Sequence, residues 1–175
     1  MTQVPAHEAT GEVRPAICLV AELPPPPGGM AVQAERLADG LRREGHAVVI
    51  VPTNALPHAS PWRRIPWLRG LLNLALFLSR LRAGRRADCV HVFSHSYLSF
   101  FLFTAPAVAI ARLFGKRLVL HYHGGAAEAF LRRFGHLALP VLRAANRLVV
   151  PSRFLAEVFR RHGLESTEVP NIVDL

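Results

Sequence analysis

Two imidazoles and a pair of glycines form the most chemically suggestive stretch of this sequence, His121-Tyr122-His123-Gly124-Gly125. On an extended strand, residues two apart share a face, so His121 and His123 point the same way. An imidazole at a strand end beside two glycines can reach a polar substrate with no side chain in its path. His123 is therefore the candidate to hydrogen-bond a ligand, as acid or base if the chemistry asks for one. His121 reads as a core histidine bonded to backbone. A metal pair is the sharper alternative, but zinc or iron needs a third ligand and carboxylates behind it. No acid lies between Asp88 and Glu128.

Other polar groups cluster near a second apolar run. His91 alternates with Cys89 and Phe93 and is expected to face a helix, whereas His95 follows in a loop with Ser94 and Ser96. Those hydroxyls could bond a hydroxylated ligand or cap the helix that follows. Gly28-Gly29 sits between an apolar run and a helical pattern. Its backbone could face an anion such as a phosphate at a helix N-terminus, or it could simply turn the chain. The pair is not a GxGxxG fingerprint, and no acid closes the second strand, which counts against an NAD enzyme. No GxxxxGK[ST] loop, GxSxG elbow or Ser-His-acid set occurs.

Arginine supplies the third signal. The chain carries net charge +9, and Lys116 is its only lysine. Residues 62–86 hold seven arginines among tryptophans and leucines, and no acid stands between Glu44 and Asp88. Trp62, Arg63, Arg64, Trp67 and Arg69 are the candidates to meet an anionic membrane surface. An ordinary amphipathic helix with a solvated arginine face is the plain alternative. Nucleic acid is discounted as a partner, because no recognition motif accompanies the charge.

These groups need a scaffold. At 175 residues and 51% apolar, the chain suits one domain with a sizeable core, not disorder. Residues 1–15 read as a disordered polar tail without the apolar stretch of a signal peptide. Apolar strands are expected at 16–22, 47–51, 87–93, 117–123, 147–150 and 165–169. Helices are expected at 30–44, 62–82, 98–114, 126–134, 136–145 and 153–162, with Ser152 as an N-cap and Gly45, Gly115, Gly135 and Gly163 as stops. Pro66 and Pro106 mark breaks or restarts. The longest apolar run, 98–111, contains a proline and is too short to span a bilayer. Cys18 and Cys89 lie in apolar runs and read as buried free thiols of a reducing compartment. The alternation predicts an α/β fold with a parallel sheet and helices on both faces. Ligands would bind beyond the strand ends where strand order reverses, between the first and third strands.

The ordered pieces EGHAVVIV, ADCVHVFSHS, GKRLVLHYHGG, NRLVVPSRFLAEVFRRHGL and EVPNIVDL resemble the N-terminal domain of glycosyltransferase family 4, a retaining family with the GT-B fold. The resemblance covers residues 16–175. It implies a Rossmann-like domain over 16–169, an interdomain linker beginning at 170–175, and a second lobe holding a nucleotide-sugar donor through a carboxylate motif. It calls for no metal and no cofactor beyond that donor. By position, Gly28 and Gly29 match the family's glycine loop, and His123 its active-site histidine. Gly124 and Gly125 follow that histidine, and Ser94 and His95 fall beside it. Ser152 matches a helix-capping serine, and Asn171 and Asp174 match a PNGVD stretch with Ile172 for glycine. Asn146 replaces the usual Asp, and Phe93 a frequent His.

Family members run to roughly twice this length. The donor carboxylates are absent from these residues, so the isolated chain is expected to transfer sugar poorly. A fragment, a split enzyme with a separate donor-domain chain, and a binding remnant are the three explanations. The function implied is transfer to a polysaccharide or lipid-linked acceptor, cytoplasmic and peripheral on the inner membrane face. The rivals are a non-catalytic membrane- or partner-binding module and a metal hydrolase built on His121 and His123.

Overall fold

Apolar runs become strands here because both of their faces are covered, and the glycines that end helices do so by adopting conformations other residues avoid. The computed structural model describes residues 14–24, 28–56, 60 and 65–171. Strands β1 (Ile17–Ala21), β2 (Val48–Pro52), β3 (Cys89–Ser94), β4 (Arg117–Tyr122), β5 (Arg147–Val150) and β6 (Thr167–Glu168) form one sheet. Its order is β2-β1-β3-β4-β5-β6, with every pairing parallel. Strand order therefore reverses between β1 and β3, where the sequence placed the reversal.

The helices are α1 (Gly29–Arg43), α2 (Pro66–Arg80), α3 (Tyr97–Ser99), α4 (Ala105–Leu113), α5 (Ala127–Arg143) and α6 (Arg153–Arg161). A 3₁₀ segment, Leu81–Arg86, prolongs α2, and a π-helical stretch, Phe100–Thr104, joins α3 to α4. Gly45, Gly115 and Gly163 follow α1, α4 and α6 with φ of 86°, 63° and 71°. Those left-handed values carry little penalty only for glycine. Ser152 caps α6, its Oγ accepting the Leu155 amide at 3.4 Å.

The sheet divides the core unequally. Val20, Val92, Leu120 and Val150 pack with Phe77, Phe100, Phe130 and Phe159, which come from α2, the π-helical stretch, α5 and α6. Each of those rings is fully buried, a gain of roughly 1.5–3 kcal/mol apiece. On the opposite face Leu19, Ala21 and Phe93 pack with Ala34 and Ala38 of α1. Helices lie on both faces as expected, but among the described residues α1 is the only helix contributing buried positions to the second cluster.

One expectation changes. Residues 126–134 and 136–145 form one helix that runs through Gly135 and also contains Pro140. The buried positions Phe130, Leu131, Ala138 and Leu142 stay in helical phase across Gly135, and that burial outweighs the ~1 kcal/mol propensity penalty of a glycine. Pro106 is the second residue of α4, and the helix restarts there through a π-helical stretch. The tail expected over 1–15 falls outside the described residues up to position 13. Its last residue is tied down, since the Pro15 carbonyl accepts from His46 Nδ1 at 3.0 Å. Of the linker, Pro170 and Asn171 are described, while Ile172 and Asp174 lie outside.

Candidate functional site

The carboxyl rim of the sheet gathers most of the polar groups noted in the sequence. His123 stands one residue beyond β4, and its amide donates to the Ser94 carbonyl at 3.0 Å. That bond extends the β3–β4 ladder by one rung and fixes where the imidazole leaves the sheet. The ring stacks on Phe93, centroids 5.2 Å apart and planes 11° from parallel. Phe93 in turn belongs to the apolar cluster that includes Ala34 and Ala38 of α1, and Met30, in the first turn of that helix, packs against the same cluster. His123 thus stacks on a ring of the cluster that seats α1, the helix that Gly28 and Gly29 begin.

His123 is half-buried, with Nε2 turned inward and without a hydrogen-bond partner among the described residues. Burial, together with His121 and His95 nearby, pushes its pKa down to about 3. The ring is therefore neutral at pH 7. His121 lies 4.1 Å from it, centroid to centroid. His121 is a core histidine as expected, only 9% exposed, but it is not bonded to backbone: neither ring nitrogen has a partner. His91 was expected to face a helix. It shares the α1-facing side of β3 with Phe93, stacks on that ring at 5.4 Å and lies 5.6 Å from His121. Rings contact rings here and no carbonyl takes part, which leaves the nitrogens orphaned. Burial lowers the pKa of His91 and of His121 to about 4. Among the described residues no three His, Cys, Asp or Glu side chains converge to hold a metal ion.

Ser94 is not available to a ligand. It is the last residue of β3, fully buried, and its Oγ donates to the His95 carbonyl at 3.3 Å while accepting from Thr104 Oγ1 at 3.1 Å. Strand alternation turns it toward the π-helical stretch and away from the crevice. His95 does reach the rim. It lines a pocket of about 170 Å³ with Glu22, Thr53, Asn54, Ser99 and Thr104. Burial lowers its pKa, and Glu22 opposes that shift. Asn54 is committed to holding the β1 loop, with its amide on both backbone groups of Leu23 at 3.1 and 2.6 Å. Asn73 of α2 lines the same pocket and accepts the Leu56 amide at 2.7 Å.

The four glycines behave differently. A Cβ on Gly124 would run into Ser96 Oγ and come within 3.0 Å of the Tyr122 hydroxyl. Those two oxygens are hydrogen-bonded at 2.7 Å. Gly124 is therefore required by packing. Gly28, Gly29 and Gly125 have nothing within 4 Å of where a Cβ would stand, and none has a left-handed φ. Gly28 is the N-cap of α1 with an extended φ of −132°, and it provides no side-chain cap.

Glu22, Thr53 and Tyr122 escaped the sequence reading as rim residues, whereas Ser96 was noted as a possible ligand hydroxyl and is instead bonded to Tyr122. Tyr122 is fully buried, and burial raises its phenol to about pKa 12 against the effect of the Ser96 bond. Tyr97, next to Ser96, holds a left-handed φ of 59°, a strained setting for a bulky residue. Its ring lies edge-on to Phe130 at 5.5 Å. Only the glycines hinted at this arrangement.

Asn146, the residue in place of the usual Asp, clips the start of β4. Its Oδ1 accepts the Leu118 amide at 2.8 Å, and its own amide returns to the Leu118 carbonyl at 2.8 Å. Cys18 and Cys89 are free thiols, the first buried and the second partly so. Trp67 and Arg69 are exposed on α2, while Trp62, Arg63 and Arg64 lie outside the described residues. No helix among the described residues is long and apolar enough to cross a membrane.

The family model described as Glycosyltransferase Family 4 matches residues 27–175. A solved structure with similarity is a 2-deoxyribosyltransferase from the psychrotolerant bacterium Bacillus psychrosaccharolyticus. It is 16% identical, with a TM-score of 0.47, over 75% of this chain and 84% of that one. No curated protein matches the chain.

Proposed function

This chain belongs to glycosyltransferase family 4, and from that premise we propose that it forms the acceptor-side lobe of a retaining, nucleotide-sugar-dependent enzyme that moves a hexosyl unit onto a glycan or a lipid-linked acceptor. The observation that carries the reading is the stack of His123 on Phe93, a ring of the apolar cluster that seats α1 below its open glycine start.

Open glycines support it. Packing gives no reason for glycine at 28, 29 or 125, whereas close approach of a ligand to backbone does. The first turn of α1 holds no acid, and Gly28 caps none of its free amides. A helix start left in that state is electropositive and suits the phosphates of a sugar donor. His123, neutral at pH 7 with its pKa near 3, acts as a hydrogen-bond partner that orients the transferred sugar. It is too weak a base to shuttle protons. Ser94 positions the rim from inside. His95, Glu22 and Thr53 face the acceptor hydroxyls in the rim pocket.

That pocket, about 170 Å³, is below the ~300–1,000 Å³ of a small-molecule site. The lobe therefore encloses part of a ligand, and a donor-holding lobe completes it, bringing the carboxylates that grip sugar and phosphate. Most of the stabilisation of the leaving phosphate comes from that donor-holding lobe. The reaction takes place on the cytoplasmic side and needs no resident cofactor.

The test is a donor screen on the two-lobed enzyme, reading nucleotide release. His123→Ala is expected to lower kcat/KM ~10²-fold through lost positioning of the sugar. Gly28→Val and Gly29→Val should raise the donor KM while the melting temperature holds. A loss of only several-fold in His123→Ala would make that imidazole structural and remove the reading.

A further inference from the structure

We infer that the outward face of α2, continued by the 3₁₀ segment after it, seats this protein on an anionic lipid surface. Trp67, Leu71 and Leu78 are 71%, 57% and 40% exposed. At about 100° per residue these three positions fall within an arc of about 40°. The helix does not need them for its own packing. Phe77 anchors its inner side, fully buried and edge-on to Phe103 at 5.2 Å, and Leu74 packs beside it. An outward stripe of this kind marks an interaction site.

Charge selects the partner. Beyond Leu78 the coil tightens, and Arg82 and Arg85, three apart in the 3₁₀ segment, stand one above the other. They continue the apolar stripe with two exposed guanidiniums, one of which lies 5.1 Å over the Phe114 ring. Arg69 and Arg80 are also exposed, but on the opposite side of α2, about 180° from the stripe. None of these four arginines has a carboxylate partner among the described residues. The arginine–carboxylate pairs seen among the described residues lie elsewhere, at Asp39, Glu128, Glu157 and Glu168. An open hollow of about 810 Å³, with Val49 and Ala83 as its apolar lining and Arg82, Arg85 and Arg86 around it, adjoins the segment.

Indole and leucines ending in unpaired guanidiniums match the acyl boundary and phosphates of a bilayer interface. A nucleic acid would engage the arginines and leave the stripe wet. The helix is about 22 Å long by its rise per residue, so it lies on the bilayer and does not cross it. Asn73 of the same helix lines the rim pocket. A chain seated this way holds that pocket about one helix diameter, ~10 Å, from the headgroups; the use of the pocket for a lipid-linked acceptor rests on the proposed transfer function.

The experiment is vesicle binding of the full chain, followed by fluorescence in a Trp62→Phe background that leaves Trp67 as the only tryptophan. Vesicles of phosphatidylcholine with 30% phosphatidylglycerol are compared with pure phosphatidylcholine, and a double-stranded oligonucleotide is the third probe. The expected result is a blue shift of Trp67 and sedimentation with the anionic vesicles only, weakened by salt. Leu71→Ser with Leu78→Ser should reduce vesicle affinity tenfold or more and abolish the shift. Arg82→Glu with Arg85→Glu should reduce it by more, since each arginine near an anionic surface is worth about fivefold. Both pairs are exposed, and circular dichroism checks that each variant folds. Equal binding to neutral and anionic vesicles, or no effect of either pair, overturns the inference. So does oligonucleotide binding that survives the leucine substitutions when vesicle binding is absent. These outcomes are read without turnover, so failure here leaves the transfer function standing, and an inactive enzyme that still binds vesicles leaves this inference standing.

Discussion

Acidification should unfold this protein from the imidazole cluster outward, and His91 sets the scale. Burial, with His123 adding to it, holds the folded pKa of His91 near 4 against an ordinary 6.5. The unfolded chain therefore binds the proton first. Between pH 6.5 and 4 it carries more protons than the native state, so stability rises with pH across that window. The stabilisation is complete above 6.5 and is lost as pH falls toward 4. With each pKa unit worth ~1.4 kcal/mol, His91 alone costs about 2 kcal/mol at pH 5. In a chain of this size that is a drop of roughly 4–8 °C in melting temperature. His121, shifted the same way, adds to the loss without summing with it, because adjacent imidazoles titrate as a group. Urea unfolding followed by circular dichroism at pH 8, 6.5 and 5 measures the loss. Carboxylates contribute as well, so the informative quantity is the difference from His91→Phe, which keeps a ring against Phe93 and removes the ionisation. The variant should recover about 2 kcal/mol at pH 5 and match or exceed wild type at pH 8, where it removes an orphaned buried nitrogen. A folded-state NMR titration of His91 near 6.5, or identical acid sensitivity in both proteins, would refute the reasoning.

Gly124→Ala should cost ~1–3 kcal/mol by overpacking, because its methyl group displaces the Ser96–Tyr122 hydrogen bond. Ser96→Ala in the same chain should restore part of that, measured as a coupling energy in a double-mutant cycle. Gly29→Ala, at the open first position of α1, should leave the melting temperature unchanged or raise it, by up to ~1 kcal/mol in stability. Any loss of donor binding in that variant then reports contact and not unfolding. Ser152→Ala removes the α6 cap and should cost ~1 kcal/mol in urea unfolding.

The strands were legible because a parallel sheet buried on both sides leaves uninterrupted apolar runs. β5 falls on Arg147–Val150, the residues expected. Helix ends were legible wherever glycine supplied a left-handed φ, as at Gly45, Gly115 and Gly163. Gly135 was misread because the same residue type can sit inside a helix when tertiary burial continues past it. A sequence displays the glycine but not the partner that decides its role. Tyr97 and the π-helical turn after it left no trace at all, since both depend on how the rim loop is clamped between Phe130 and Ser94.

The site was legible as a location and not as a set of contacts. Alternation correctly put His121 and His123 on one face, and strand order put His123 on the carboxyl rim at β4, one strand beyond the β1–β3 reversal where it was expected. It could not show that His91, Phe93, His121 and His123 would meet ring to ring with no acceptor for the inward nitrogens. Nor could it distinguish Ser94, turned inward onto Thr104, from His95 one residue later, turned into the rim pocket. The glycines show why this matters for function. All four look alike in sequence, yet Gly124 is glycine because Ser96 and Tyr122 fill the space, while Gly28, Gly29 and Gly125 border open space. A residue explained by packing carries no information about a ligand. A residue that packing does not explain leaves room for a ligand, and Gly28, Gly29 and Gly125 are such residues at the start of α1 and the end of β4, which makes them the positions at which the proposed transfer function is tested.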